Sequence, residues 1–255
     1  MDETQNGHRG PSSELVEIVK TVVYALLIAF VIRVLLFQPF TIPSASMEPT
    51  LFQGDYIIVS KFSYGLSRHS LPLSPGLFKG RIFGRQPHRG DVVVFKLPRD
   101  NHTDYIKRLI GLPGDRVQVK AGVVWLNGKP LKRQALEPTT DTSPFGFQRT
   151  AFRYRETMPN GGPSYVTYAY GSDSEVDNTG VYVVPAGHYF MMGDNRDNSE
   201  DSRFPTETGV GYVPFENLEG KAEMILLSWN DQASILKPWT WFTDARPSRF
   251  FHLLR

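Results

Sequence analysis

The first strong pattern along the chain is a run with almost no polar positions. From Thr21 to Phe37 it reads TVVYALLIAFVIRVLLF, with Arg33 its one charge. Extended back to Ile18 it reaches the roughly 20 residues that a bilayer core requires. The run is apolar on every side, unlike an amphipathic helix that leans on a core with one stripe. It predicts a single transmembrane helix over residues 18–37, with Lys20 and Arg33 near its ends, where aliphatic stems bury and charged heads reach the interface. Gln38-Pro39 then stops the helix. A buried core helix and a cleaved secretion signal are the rival readings. Ser44-Ala45-Ser46 is a small-x-small triplet downstream, but the apolar stretch exceeds the roughly 7 to 15 residues of a signal's hydrophobic region. Arg9 and Lys20 precede the run, and no Lys or Arg occurs from Gln38 to Ser60, a bias that predicts a cytoplasmic N-terminus over residues 1–17 and a large domain on the outer face.

Beyond the span the pattern changes to short alternating runs rich in β-branched and aromatic residues. Strands are expected at Tyr56 to Ser60, Val92 to Phe95, Tyr105 to Ile110, Val117 to Leu126, Tyr165 to Tyr170, Val181 to Val184, His188 to Met192 and Ala222 to Trp229. Pro113-Gly114-Asp115 and Asn127-Gly128 punctuate them, the latter a type I′ hairpin signal. Phe62 to Arg89 shifts to Gly, Pro, Ser and basic residues and reads as an exposed excursion. Arg133 to Asn178 is polar, with only local strand character, and reads as an inserted subdomain.

Composition narrows the chemistry. The 22 Gly, 19 Pro, 17 Phe and 11 Tyr suit strands joined by tight turns, so a mainly β body is expected. The absence of cysteine removes disulfides, thiolate zinc sites and cysteine nucleophiles together. A net charge of +2, from 28 Lys+Arg against 26 Asp+Glu, is too near balance for a broad phosphate-binding surface, so no nucleic-acid partner is expected.

Three clusters carry candidate chemistry. Ser44 and Ser46 stand two apart between Pro43 and Pro49, which restrain the backbone and suit presentation of one hydroxyl beside another. The six histidines show no triad signature, so lysine, which serves as base when neutral, is the alternative. Lys107 lies in a bulky apolar run, Tyr105-Ile106-Lys107-Arg108-Leu109-Ile110, where burial would desolvate its ammonium. Lowering a lysine pKa from ~10.4 to ~7.5 takes about 4 kcal/mol, which removal from water supplies. Arg108 is expected to push in the same direction, and a solvated lysine on an outer strand face is the plain alternative. The third cluster is ten polar residues from Asp194 to Arg203. Their spacing does not match a calcium loop, so no metal is expected, and a rigid polar scaffold fits better. In it Ser199 could bond the lysine amine, while Asp201 and Arg203 form a bidentate pair.

The span, Pro43-Ser44-Ala45-Ser46-Met47-Glu48-Pro49-Thr50-Leu51, Gly54-Asp55, Gly90-Asp91-Val92-Val93-Val94-Phe95, Tyr105-Ile106-Lys107-Arg108-Leu109-Ile110-Gly111-Leu112-Pro113-Gly114-Asp115 and Gly193-Asp194-Asn195-Arg196-Asp197-Asn198-Ser199, in this order, resemble the bacterial type I signal peptidases over nearly the whole chain. The resemblance implies a membrane-bound serine endopeptidase without cofactor, whose partners are the signal peptides of exported preproteins and the phospholipid bilayer. It implies the cytoplasmic (inner) membrane, with the catalytic domain outside. Its fold would be a single transmembrane helix followed by an antiparallel, barrel-like catalytic β domain (38–132 and 179–255) with an inserted β subdomain (133–178). By the same resemblance Ser46 would be the nucleophile, Lys107 the base, Ser44 an oxyanion donor with the Ser46 N–H, and Ser199 the group that orients Lys107. Asp201 and Arg203 would brace the site. Ile42, Met47, Leu51, Tyr105 and Ile106 would line pockets for small side chains at −1 and −3, so that cleavage follows Ala-x-Ala.

Two departures stand out: Ala45 replaces a frequent glycine, and the run Phe204 to Val210 before Gly211-Tyr212-Val213-Pro214 is lengthened. A self-cleaving repressor protease would need an N-terminal DNA-binding domain in place of the span. A tethered β domain that only binds peptides would lack turnover. Ser46 lies nine residues past Phe37, which keeps it within about 30 Å of the bilayer. Trp239, Trp241, Phe242, Phe250 and Phe251, with Arg246, Arg249 and Arg255, could seat the body at headgroup level.

Overall fold

The computed structural model describes residues 11–70, 80–142, 147–171, 174–230 and 239–254. The expectations for Arg9, for residues 71–79 of the excursion and for Arg255 lie outside the described residues.

Helix α1 spans Pro11–Leu35. It starts earlier than the apolar run, with proline at its first position, where a missing N–H costs nothing. It also stops before the expected end at Phe37: Leu36 N–H closes onto Ile32, and Phe37 opens strand β1 (Phe37–Thr41). Pro39 is tolerated in β1 because this is the edge strand of its sheet. Over Glu14–Arg33 the mean hydropathy is 2.4 and none of the segment is buried against the protein, so α1 is not the core helix of a soluble domain. Among the described residues it is the one helix long and apolar enough to cross a membrane.

The body is built in chain order from β2 (Asp55–Ser60), β3 (Leu66–Ser67), β4 (Arg81–Ile82), β5 (Val92–Lys96), β6 (Asp104–Gly111), β7 (Arg116–Lys120), β8 (Val123–Leu126), β9 (Lys129–Pro130), β10 (Lys132–Thr142), β11 (Gln148–Thr157), β12 (Ser164–Ala169), β13 (Tyr182–Val183), β14 (His188–Met192), β15 (Val213–Pro214), β16 (Leu218–Ser228), a short helix α2 (Thr240–Thr243) and β17 (His252–Leu253). The principal sheet runs β1-β2-β16-β5-β6-β14-β15, with β17 on β16. Its pairs are antiparallel, and register shifts in β16 and between β14 and β6 curl it. The fold is thus mainly β, with an N-terminal apolar helix and a curled antiparallel sheet.

Alternation on β5 explains how this sheet is held. Val92 and Val94 enter a core with Ile42, Met47, Leu51 and Ile57, whereas Val93 and Phe95 enter a second core with Leu109, Tyr189 and Met191. A strand covered on both faces reads as an unbroken apolar run, as VVVF does here. Each such side chain contributes about 1.5 to 3 kcal/mol on burial.

Elsewhere the strand pattern needs correcting. Val117 to Leu126 is not one strand but the hairpin β7–β8, broken at Ala121 and Gly122, whose φ values are 47° and 70°. An alanine in the left-handed region carries no sequence signal for a turn. Asn127 and Gly128, at φ 53° and 80°, do form the expected tight turn, into β9. The polar stretch after Leu131 holds a three-stranded antiparallel sheet, β10-β11-β12, with far longer strands than its pattern suggests. Its exposed faces are tied by charge and ring contacts in place of apolar alternation: Arg133 stacks 3.4 Å over Tyr154, Arg149 stacks 3.4 Å over Tyr170, and Arg149 pairs with Asp141 at 2.9 Å.

Candidate active site

Between β1 and β2 the chain makes a single 3-10 turn, Ala45–Met47. Ile42, Met47 and Leu51 on this segment are fully buried in the first core, which anchors the turn from below. Ser46 consequently sits buried, facing β6. Ala45 is not among the residues with positive φ, so the position does not require glycine. The carbonyls of the turn are clamped from the other side: Asn195 donates its backbone N–H to Ser46 O at 3.1 Å and its side-chain amide to Ala45 O at 3.1 Å.

Lys107 extends from the middle of β6 and is 3% exposed. Its Nζ lies 2.7 Å from Ser46 Oγ and 3.1 Å from Ile106 O. Burial drives its pKa down to about 8, with Asp201, Asp194 and Glu200 opposing and Arg203 adding slightly to the fall. The charge of Arg108, expected to push in the same direction, is met by a buried carboxylate. Neighbours on a strand point to opposite faces, and Arg108 is paired with Asp194 at 2.6 Å, stacks 4.0 Å over Tyr165, and donates to Gly90 O. This buried ion pair is the main feature of the site that sequence reasoning missed. Thr50 also donates to Asp194, at 2.5 Å, so the turn, β6 and the loop after β14 meet at one carboxylate.

The polar run after β14 folds back on itself. Asp201 accepts Arg203 Nε and Nη2, each at 2.8 Å, together with the Gly193 N–H at 3.0 Å, and Arg203 caps Arg196 O at 2.5 Å. Arg196 in turn forks onto the buried Glu156 of β11 at 3.1 and 2.6 Å. The lengthened segment after Arg203 closes into a compact loop through Gly211 N–H to Phe204 O and Gly209 N–H to Pro205 O. Among the described residues no cluster of three or more His, Asp or Glu side chains is placed to hold a metal ion.

Ser44 is exposed, with Oγ 3.3 Å from Ser46 Oγ. Ser199 is buried, and its Oγ has no hydrogen-bond partner among the described residues. It nonetheless abuts the turn: a Cβ built on Gly193 would fall 2.3 Å from Ser199 Oγ and 2.5 Å from Ser46 O. Ser44, Ser46, Tyr105, Ile106, Lys107 and Ser199 all line one open cleft of about 590 Å³. Ile42, Met47 and Leu51 do not line it and lie in the core beneath. Just past the turn, burial lifts the Glu48 carboxyl to about 7, with Asp141 adding to the rise and Arg149, Arg246 and Arg249 opposing.

A nucleophile class of hydroxyl, a desolvated amine within hydrogen-bond reach and a cleft open to an extended chain suit acyl transfer. The family profile described as signal peptidase, peptidase S26 matches residues 15–229, which include most of α1, Ser46, Lys107 and the whole run to Arg203. Signal peptidase I of Rickettsia typhi (strain ATCC VR-144 / Wilmington) is 42% identical over 247 residues, 89% of this chain and 89% of that one. Signal peptidase I of Rickettsia akari (strain Hartford) is 41% identical over 250 residues, covering 91% and 90%. A crystal structure of a signal peptidase I from Enterococcus faecalis V583 is 25% identical, covering 54% of this chain and 97% of that chain with a TM-score of 0.31. The profile match and the Rickettsia relatives define a serine peptidase, a hydrolase. The chain belongs to the signal peptidase family, peptidase S26.

Proposed function

We propose that this peptidase is anchored by α1 in the cytoplasmic membrane and removes signal peptides from exported preproteins, cutting after small residues in an Ala-x-Ala pattern. The observation that carries the mechanism is the 2.7 Å approach of Lys107 Nζ to Ser46 Oγ, with the lysine 3% exposed at the base of the cleft. In its neutral form Lys107 accepts the hydroxyl proton as Ser46 attacks the scissile carbonyl. The proton passes to the departing amine of the mature protein, which leaves an ester-linked acyl-enzyme. Lys107 then activates the water that hydrolyses the ester. Ser44 Oγ and the Ser46 N–H receive the oxyanion, and the Asp201–Arg203 pair holds the wall on which Ser199 stands beside the amine. Tyr105 and Ile106 shape the substrate wall, and Ile42, Met47 and Leu51 hold the serine turn from the core behind it.

The body formed by residues 38–132 and 179–255 carries the chemistry, and 133–178 is an inserted subdomain. The backbone bonds between Tyr168 on β12 and both Asp194 and Arg196, each 2.9 Å, support a bracing role for that insert. The Lys and Arg bias about the span supports a cytoplasmic N-terminus with the cleft on the outer face.

The test is cleavage of a preprotein bearing an Ala-x-Ala site by the full chain in detergent. Ser46→Ala is expected to retain the wild-type melting curve and lose turnover. Undiminished turnover by that variant refutes the reading.

A further inference from the structure

A second cavity, about 730 Å³, shares no lining residue with the Ser46 cleft and lies between β12 and the C-terminal segment. Its lining carries Arg108, Arg153, Arg249 and His252, and no acidic side chain. Two of these charges are matched from outside the cavity, Arg108 by Asp194 at 2.6 Å and Arg249 by Asp55 at 2.5 Å. Arg153 has no ion pair among the described residues, and its Nε is buried without a hydrogen-bond partner. The strand edge beside it is also open. Tyr168 turns its backbone groups away from β11 to meet Asp194 and Arg196. Alternation then directs the N–H of Val166 and of Ser164 to the same side, where both residues line the cavity. Donors without acceptors therefore converge on a site with one unmatched positive charge.

The opposite rim is apolar and exposed. Phe251 and Leu253 are 64% and 57% accessible, and Trp239 and Phe242, on the same C-terminal segment, are 64% and 87% accessible. β17 lies three strand steps from β1, the strand that leaves α1 directly, or about 14 Å at ~4.8 Å per step. An anion site edged by apolar side chains near the end of a membrane helix matches an amphiphile better than a soluble ion. The described lining offers no carboxylate to pair with the ammonium of a zwitterionic headgroup.

We propose that this groove binds the phosphate of an anionic phospholipid, with the Arg153 guanidinium as its charge partner and Phe251 and Leu253 set among the acyl chains. The proposal rests on the reading of α1 as a membrane anchor, which partition of the chain into detergent tests separately. The experiment is titration of the full chain in detergent with phosphatidylglycerol, phosphatidylcholine or inorganic phosphate, with bound lipid read by native mass spectrometry. Phosphatidylglycerol is expected to be retained over phosphatidylcholine. Arg153→Gln should weaken its retention about tenfold, the scale of one charge-assisted contact, and leave phosphatidylcholine unchanged. Arg153→Lys should fall between, keeping the charge and losing the planar fork. Equal retention of the two lipids, or no effect of Arg153→Gln, overturns the proposal. Displacement of phosphatidylglycerol by inorganic phosphate at matched concentration also overturns it, in favour of a soluble anion site. Cleavage of a soluble peptide by Arg153→Gln at the wild-type rate shows the variant is folded. Loss of cleavage in the wild-type chain would count against the peptidase mechanism without touching the lipid result.

Discussion

Lys107 and Ser46, 61 positions apart in sequence, lie 2.7 Å from Nζ to Oγ because β6 and the turn after β1 press against the same apolar core. Ile106 enters that core beside Met47 and Leu51. The next residue on the strand, Lys107, therefore points the other way, towards Ser46, and is 3% exposed.

The pH dependence follows from the sign of the lysine shift. With the amine lowered to about 8 by burial, it is protonated below that pH and cannot accept the Ser46 proton. We expect kcat/KM to fall about tenfold per pH unit below pH ~8. Glu200 lines the cleft and raises the Lys107 pKa, so Glu200→Gln should move the acid limb to lower pH. A profile that is flat from pH 8 to pH 5, or a limb unmoved by Glu200→Gln, contradicts a neutral lysine base.

Replacement of the lysine separates activity from stability. Lys107→Met should abolish cleavage, by about 10³-fold or more in kcat. The folded protein holds its lysine at a pKa below the unfolded value, a penalty fully present below pH ~8 and relieved as pH rises to ~10.5. Lys107→Met should therefore be more stable than the wild type by about 3 kcal/mol at pH 7, with the gain fading by pH 10. Thermal melts at the two pH values measure this, and a variant less stable at pH 7 than at pH 10, relative to wild type, would contradict a desolvated amine.

Much of this arrangement was legible in the sequence, and the reasons for the exceptions are physical. The span, the β5 run and the serine turn announce themselves because burial on all sides, or restraint by proline, leaves a local trace. The sequence places Arg108 next to Lys107 but does not show that its side chain turns to the opposite face of the strand and meets a buried carboxylate. Its partner Asp194 stands 86 positions away, and nothing local encodes such a pairing. Strands β10 and β11 escaped notice because Arg–Tyr stacking and Arg–Asp pairs stabilise them without apolar alternation. The expected bond of Ser199 to Lys107 is not formed, although both line the same cleft.

The Ser44 hydroxyl lies 3.3 Å from Ser46 Oγ on an exposed residue, the position of the oxyanion donor in the mechanism proposed above. Ser44→Ala is expected to lower kcat about 10²-fold with KM little changed, since such a donor acts in the transition state. A rise in KM at constant kcat would assign Ser44 to substrate binding instead.

Gly193 is fixed by close approach. A methyl group there would meet Ser46 O at 2.5 Å and Ser199 Oγ at 2.3 Å. The Ser46 carbonyl cannot retreat without losing the Asn195 N–H. Gly193→Ala should cost about 1 to 3 kcal/mol of stability and displace the nucleophile. Paired melting and cleavage assays check it, and wild-type values in both would show that the two loops are not in tight contact.

The buried Arg108–Asp194 pair should behave unlike the more accessible Arg68–Glu216 pair. Each partner is nearly inaccessible, at 1% and 0% for the side chains. Loss of one therefore strands the other as an uncompensated charge, at a cost of about 3 to 5 kcal/mol. Asp194→Asn is expected to lose about that much, and Arg108→Met somewhat less because Asp194 keeps the Thr50 hydroxyl. The double variant should be more stable than the sum of the two losses, since neither charge remains. Because β6 carries Lys107 beside Arg108, Asp194→Asn should also lower kcat, with the Ser46–Lys107 distance disturbed. Melting curves of the four proteins give the coupling energy directly. If the losses simply add, Arg108 and Asp194 do not act as a unit, and the tie between the serine turn, β6 and the loop after β14 must lie elsewhere.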